Sequence, residues 1–180
     1  VDDAAIRADK LMYQAKNRKN MVVTAGTEQE ASTQSQELED QENIKQQILI
    51  VDDSELNREI LSEMLHSDFR ILEAENGEQC VATLEQYGTG IALILLDIVM
   101  PGMNGFEVLE YMTRNHWIEE VPVIMISSEN SEPYIRKAYE LGVSDYISRP
   151  FDAKVVFQRV FNTIKLYAKQ RRLIKMVTNQ

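Results

Sequence analysis

Short apolar runs constrain this chain more than any other feature. Ile48–Val51 and Ile91–Leu96 contain only aliphatic residues, and Val121–Ile126 is interrupted only by Pro122. A strand that is apolar on both faces must be covered on both faces, as a central strand of a parallel sheet is. The intervals between the runs carry the complementary signal. Leu56, Ile60, Leu61, Met64 and Leu65 recur at helical spacing after the first run. The reading over the whole region is β1 at Ile48–Val51, α1 across 56–65, β2 at Phe69–Ala74, α2 at Gly77–Tyr87, β3 at Ile91–Leu96 and α3 at Gly105–Asn115. It continues with β4 at Val121–Ile126, α4 at Ser131–Leu141 stopped by Gly142, β5 at Ser144–Ile147, and a long α5 from Asp152 to Val177. Alternating strands and helices imply right-handed crossovers and a parallel sheet with helices on both faces. The expected fold is α/β, a flavodoxin-like doubly wound sheet of order 2-1-3-4-5.

In such sheets ligands bind beyond the carboxyl ends of the strands. Asp52 and Asp53 follow β1, Asp97 follows β3, Ser127 follows β4, and Arg149 and Pro150 follow β5. Three carboxylates, a hydroxyl and a cation thus converge on one rim. Clustered carboxylates raise one another's pKa unless a cation is present. An oxygen-only set suits Mg²⁺. An ionised Asp97 can attack phosphorus in line. Ser127 can donate to a phosphoryl oxygen, and Arg149 can pair with another. Taken singly these residues are ordinary: a double Asp is often a turn or cap, Asp97 precedes a Pro101-Gly102 turn, and Ser127 and Arg149 fit a helix cap and a solvated charge. Their joint placement on four strand ends carries the functional reading.

Composition removes other classes. The net charge of −10 disfavours general nucleic-acid binding. Cys80 is the only cysteine, so no internal disulfide forms. The longest apolar run, Ile91–Leu96, is far short of the roughly 20 residues of a membrane span. A cytoplasmic location is expected, with no nucleic-acid or membrane partner. The chain begins at Val1 rather than Met, as expected of a piece of a longer polypeptide.

Four blocks resemble the receiver domains of two-component response regulators. They are Ile48-Leu-Ile-Val-Asp52-Asp53, Leu95-Leu-Asp97-Ile-Val-Met-Pro101-Gly102-Met-Asn-Gly105, Ile124-Met-Ile-Ser127-Ser128 and Asp145-Tyr146-Ile-Ser-Arg149-Pro150-Phe151. The resemblance implies that Asp97 is the phosphoacceptor, served by a histidine kinase or a phosphotransfer protein. It implies direct Mg²⁺ ligation by Asp53, Asp97 and the main-chain carbonyl of Val99, with Asp52 acting through a metal-bound water. Ser127 becomes the switch hydroxyl and Tyr146 the switch aromatic, turning inward on phosphorylation and changing the α4-β5-α5 face. The bond between Arg149 and Pro150 is expected to be cis. Arg149 departs from the family, which has lysine there; arginine keeps the charge but is planar and forks its donors. Two rival readings follow. One is a degenerate receiver serving as a phosphorylation-independent dimerisation or docking module. The other is an aspartate-nucleophile phosphohydrolase, disfavoured because Val99 stands where such enzymes carry a second acid. Val99 has no polar group to orient water, while Glu129, two residues past Ser127, could serve from the other side; a phosphoryl lifetime of minutes or longer is expected. The module itself is expected to be a switch, not an enzyme.

The flanks divide by composition. Residues 1–24 carry Ala8-Asp9-Lys10-Leu-Met-Tyr13-Gln-Ala15-Lys16-Asn-Arg-Lys-Asn20-Met-Val-Val, which resembles the C-terminal helix and strand of diguanylate cyclase (GGDEF) domains, without their catalytic motif. That resemblance implies a cyclic-di-GMP-linked parent protein. Residues 25–44 read as a polar linker, 45–165 as the receiver, and 166–180 as a connector extension of the last helix. Val155, Val156, Val160, Ile164 and Tyr167 are expected to cover the sheet. Leu173, Ile174, Met176 and Val177 then continue an apolar stripe toward an output domain past Gln180, or toward a homodimer through this helix or the α4-β5-α5 face.

Overall fold

The computed structural model describes residues 45–179. The helix and strand expected within residues 1–24, and the linker, lie outside them. Among the described residues, five parallel strands form one sheet in the order β2-β1-β3-β4-β5. The strands are β1 Gln47–Val51, β2 Arg70–Ala74, β3 Ile91–Leu96, β4 Val123–Ser127 and β5 Asp145–Ser148. The helices are α1 Glu55–Leu65, α2 Gly77–Tyr87, α3 Gly105–Arg114, α4 Glu132–Glu140 and α5 Ala153–Thr178. This is the flavodoxin-like arrangement that the apolar runs predict, with the extended last helix.

The period of two along each strand divides the core. Leu49, Val51, Ile94, Leu96, Val123 and Met125 face one side and meet α2, α3 and α4 through Cys80, Leu84, Leu109, Met112 and Ala138. Ile48, Ile50, Leu93, Leu95, Ile124 and Ile126 face the other and meet Leu61 and Leu65 of α1 and Val156, Val160 and Ile164 of α5.

Several local expectations are corrected. β4 begins at Val123, not Val121, because the Val121 N–H closes a turn onto the Trp117 carbonyl and Pro122 has no N–H to give. β2 begins at Arg70 because the Phe69 N–H still serves the last turn of α1, bonding the Leu65 carbonyl at 2.9 Å. Leu56 and Ile60 do not face the core; Leu56 is 64 % exposed. The sheet-facing side of α1 is Arg58, Leu61 and Leu65. In α5, Val155 is exposed and Val156, Val160 and Ile164 cover the sheet, while Tyr167 is half-buried and pairs its hydroxyl with Ser144. Past Tyr167 the helix leaves Leu173, Ile174, Met176 and Val177 exposed. Arg171 Nη2 ties this overhang to the body of the fold by donating to the Glu120 carbonyl at 2.6 Å.

Candidate functional site

Register places the acids. Val51 pairs with Leu96 across β1 and β3, so the next residues, Asp52 and Asp97, emerge side by side. The ladder runs one step past the strands: Asp97 N–H donates to the Val51 carbonyl at 3.0 Å, and Asp52 N–H to the Ala74 carbonyl at 3.2 Å. Asp53 follows in the turn before α1. Carboxylate oxygens of Asp52, Asp53 and Asp97 all lie within 4.8 Å of one another.

Electrostatics follow from that crowding. Burial pushes the Asp97 carboxyl up to about 6 from its ordinary 3.8; the charges of Asp52 and Asp53 push the same way, against the pull of Arg149 and of a hydrogen bond from the Ile98 backbone. A hard divalent cation would relieve this repulsion, so the donor set fits Mg²⁺.

Asp52 is almost wholly buried and is bonded through every polar atom. Its N–H is used as above. Its carbonyl accepts from Arg58 Nη1 at 2.7 Å, Oδ1 from the Ser54 N–H at 2.9 Å, and Oδ2 from Arg149 Nη2 at 2.6 Å. With both carboxylate oxygens of Asp52 taken, exposed Asp53 and half-buried Asp97 are the freer donors. Arg149 therefore pairs with Asp52, while its buried Nε has no partner. It sits where the Arg149 N–H extends the β4–β5 ladder to the Ser127 carbonyl at 3.0 Å, and its bond to Pro150 is cis.

Ser127 is 1 % exposed, and its Oγ accepts from the Glu129 N–H at 3.1 Å, leaving the hydroxyl proton to donate. Tyr146 is 7 % exposed and its hydroxyl donates to the Glu129 carbonyl. The ring thus already lies inward, whereas the sequence reading has it turn inward on phosphorylation. Val99 is 62 % exposed on the loop after β3. That loop reverses at Gly102, whose φ of 74° suits glycine, and re-enters α3 at Gly105. A Cβ on Gly105 would lie 2.4 Å from the Asp97 carbonyl oxygen, so only glycine lets α3 start against the end of β3.

Two contributors escape the sequence reading. Asn104 caps α3 by accepting from the Glu107 N–H, at 3.0 Å, and so anchors the far end of the loop. Arg58 reaches Asp52 from inside the core face of α1. Its signal was its spacing, three before Leu61 and seven before Leu65.

Comparison with known proteins agrees with this geometry. The profile described as "Response regulator receiver domain" matches residues 48–161. A two-component response regulator of rice (Oryza sativa subsp. indica), ORR3, is 33 % identical over 57 % of this chain and 79 % of its own length. A probable cyclic di-GMP phosphodiesterase of Vibrio cholerae serotype O1 is 38 % identical over 63 % of this chain, which spans only 25 % of that protein. Among solved structures, the CheX-CheY-BeF3-Mg+2 complex from Borrelia burgdorferi contains a chain that matches with a TM-score of 0.62 and 31 % identity, over 68 % of this chain and 91 % of that one.

Proposed function

This chain belongs to the response regulator receiver domain family through residues 48–161, and from that premise we propose that it is a phosphoacceptor switch in which Asp97 takes a phosphoryl group from a phosphohistidine. The observation that carries the reading is the three-carboxylate rim, with Asp97 set beside Asp52 by strand register. One Asp97 carboxylate oxygen attacks phosphorus, the phosphorus–nitrogen bond breaks, and the imidazole leaves with the electron pair. The product is an acyl phosphate on Asp97. Asp53, Asp97 and the Val99 carbonyl would hold a Mg²⁺, with Asp52 assisting indirectly, and the ion would supply charge neutralisation for the incoming group. The Ser127 hydroxyl donates a hydrogen bond to one phosphoryl oxygen. Arg149, with its unpartnered Nε, pairs with another while Nη2 keeps Asp52.

The readout is the Ser127–Glu129–Tyr146 chain. Drawing Ser127 toward the phosphoryl group removes the acceptor of the Glu129 N–H, and the Glu129 carbonyl is the one that Tyr146 holds. Phosphorylation thereby biases how firmly Tyr146 stays inward, and with it the α4-β5-α5 face. Val99 offers attacking water no polar group, and the lifetime of the adduct is minutes or longer.

The donor is a sensor histidine kinase or a phosphotransfer protein. Residues 1–24 are the end of a diguanylate cyclase-like domain, 25–44 a linker and 166–180 a connector, so the parent protein is tied to cyclic-di-GMP signalling; the Vibrio relative's name agrees with that setting. Homodimerisation through the last helix or the α4-β5-α5 face is part of this reading.

Intact mass after incubation with Mg²⁺ and acetyl phosphate tests it. One phosphoryl adduct in the parent, absent from Asp97→Ala and absent without Mg²⁺, is the expected result; no adduct in the parent sinks the reading. A second reading, a docking module independent of phosphorylation, draws on the Arg149–Asp52 ion pair, which ties up the cation that the phosphoryl group needs. Adduct formation by Arg149→Lys and none by the parent would select it.

A further inference from the structure

Three side chains of α1 are buried against the sheet, and one of them is charged. Arg58 is 8 % exposed between the positions expected for aliphatic residues. A buried guanidinium is costly unless its donors are satisfied. All its donor groups have partners on one side of the acidic rim. Nη1 donates to the Asp52 carbonyl at 2.7 Å, Nε meets Glu73 Oε1 at 3.3 Å, and Nη2 meets Glu75 Oε1 at 3.7 Å. The two glutamates belong to β2 and the turn after it, and are themselves well exposed.

The carbonyl that Arg58 holds is half of the Asp52–Asp53 peptide unit. A peptide is planar, so fixing that oxygen fixes the plane and the starting point of the Asp53 side chain. The preceding peptide is already fixed, through the Asp52 N–H on the Ala74 carbonyl. The turn that carries both acids is thus clamped from β2 on one side and from α1 on the other. Glu73 and Glu75 are exposed, so their ion pairs with Arg58 add little to stability.

We infer that Arg58 is a positioning residue for the metal rim, orienting Asp53 through the Asp52 carbonyl. The inference rests on the Mg²⁺ reading above and adds to it a residue that touches neither cation nor phosphoryl group. Glu73 and Glu75 hold the guanidinium in turn.

Isothermal titration of the full chain with MgCl₂, beside thermal melts followed by circular dichroism, tests it. Arg58→Met is expected to weaken Mg²⁺ binding about 10-fold, as loss of an outer partner of a metal ligand does, without a matching fall in melting temperature. Arg58→Lys keeps one donor for the Asp52 carbonyl and recovers part of the affinity. The double variant Glu73→Gln, Glu75→Gln loosens Arg58 from exposed positions and weakens binding in the same direction by less; it decides the matter if Arg58→Met does not fold. Affinities equal to the parent's in Arg58→Met, or in the double variant when only that one folds, overturn the inference while leaving the proposed function standing. A parent with no saturable Mg²⁺ binding defeats the proposed function, and the inference with it.

Discussion

Asp97 and Asp52 divide the work of the rim between a carboxylate that resists its charge and one that is wholly bonded. The Asp97 carboxyl sits near 6 because burial and its acidic neighbours oppose ionisation. A folded-state pKa above the unfolded value adds stability that is complete below about 4 and lost as pH rises through about 6. In the absence of divalent cations, the parent is therefore expected to lose stability relative to Asp97→Asn across that window. The gap at pH 7.5 is about 1–2 kcal/mol after allowance for solvent screening. Added Mg²⁺ closes it; urea titrations of both proteins with EDTA and with Mg²⁺ measure both effects. Replacing Tyr146 by Phe removes the donor to the Glu129 carbonyl and costs about 1 kcal/mol, read in the same titrations. At this scale the sequence disclosed which side chains gather at the rim, because acids placed directly after apolar strands have only one place to go. It did not disclose that Arg149 would lie on Asp52, or that Tyr146 would already be inward. Both depend on contacts between residues far apart in the chain, 97 positions in the first case.

Elements were legible where the pattern is local and one-sided. β3 and α2 begin and end where their residues predict. α1 was misread because Leu56, Ile60 and Met64 form a stripe next to that of Leu61 and Leu65, and hydropathy prefers both to a stripe containing Arg58. Only the sheet edge, with the Asp52 carbonyl and two glutamates waiting, makes the charged stripe the buried one. The start of α3 shows the opposite case, a constraint that is purely steric. Gly105→Ala puts a methyl group against the Asp97 carbonyl oxygen and the Ile98 Cα. It is expected to destabilise the fold by about 1–3 kcal/mol in urea unfolding. The forced shift falls on Asp97 itself, so in the proposed switch adduct formation with acetyl phosphate is expected to slow even where the protein remains folded.

At the scale of the molecule, the packing of α2 against one face of the sheet buries Cys80 completely, and burial pushes its thiol up to about 12. Native protein at pH 8 is expected to resist a thiol-specific disulfide reagent, reacting only as fast as it opens. Labelling rates that track the urea unfolding curve support this; rapid labelling in native buffer contradicts it. The last helix has the opposite character, since its final turns leave Leu173, Ile174, Met176 and Val177 exposed. Its 26 residues span about 39 Å, and the 11 beyond Tyr167 project about 16 Å past that contact. Mechanically that projection is a lever whose fulcrum is the Tyr167 contact with Ser144, the residue before β5. A tilt of about 10° at the fulcrum sweeps the tip through about 3 Å, given that length. The Arg171 bond to the Glu120 carbonyl is the stay that checks the swing, so cutting it with Arg171→Ala would widen the arc without touching the acceptor, an outcome that a spin-label pair on the helix tip and the sheet would register as a broader distance distribution.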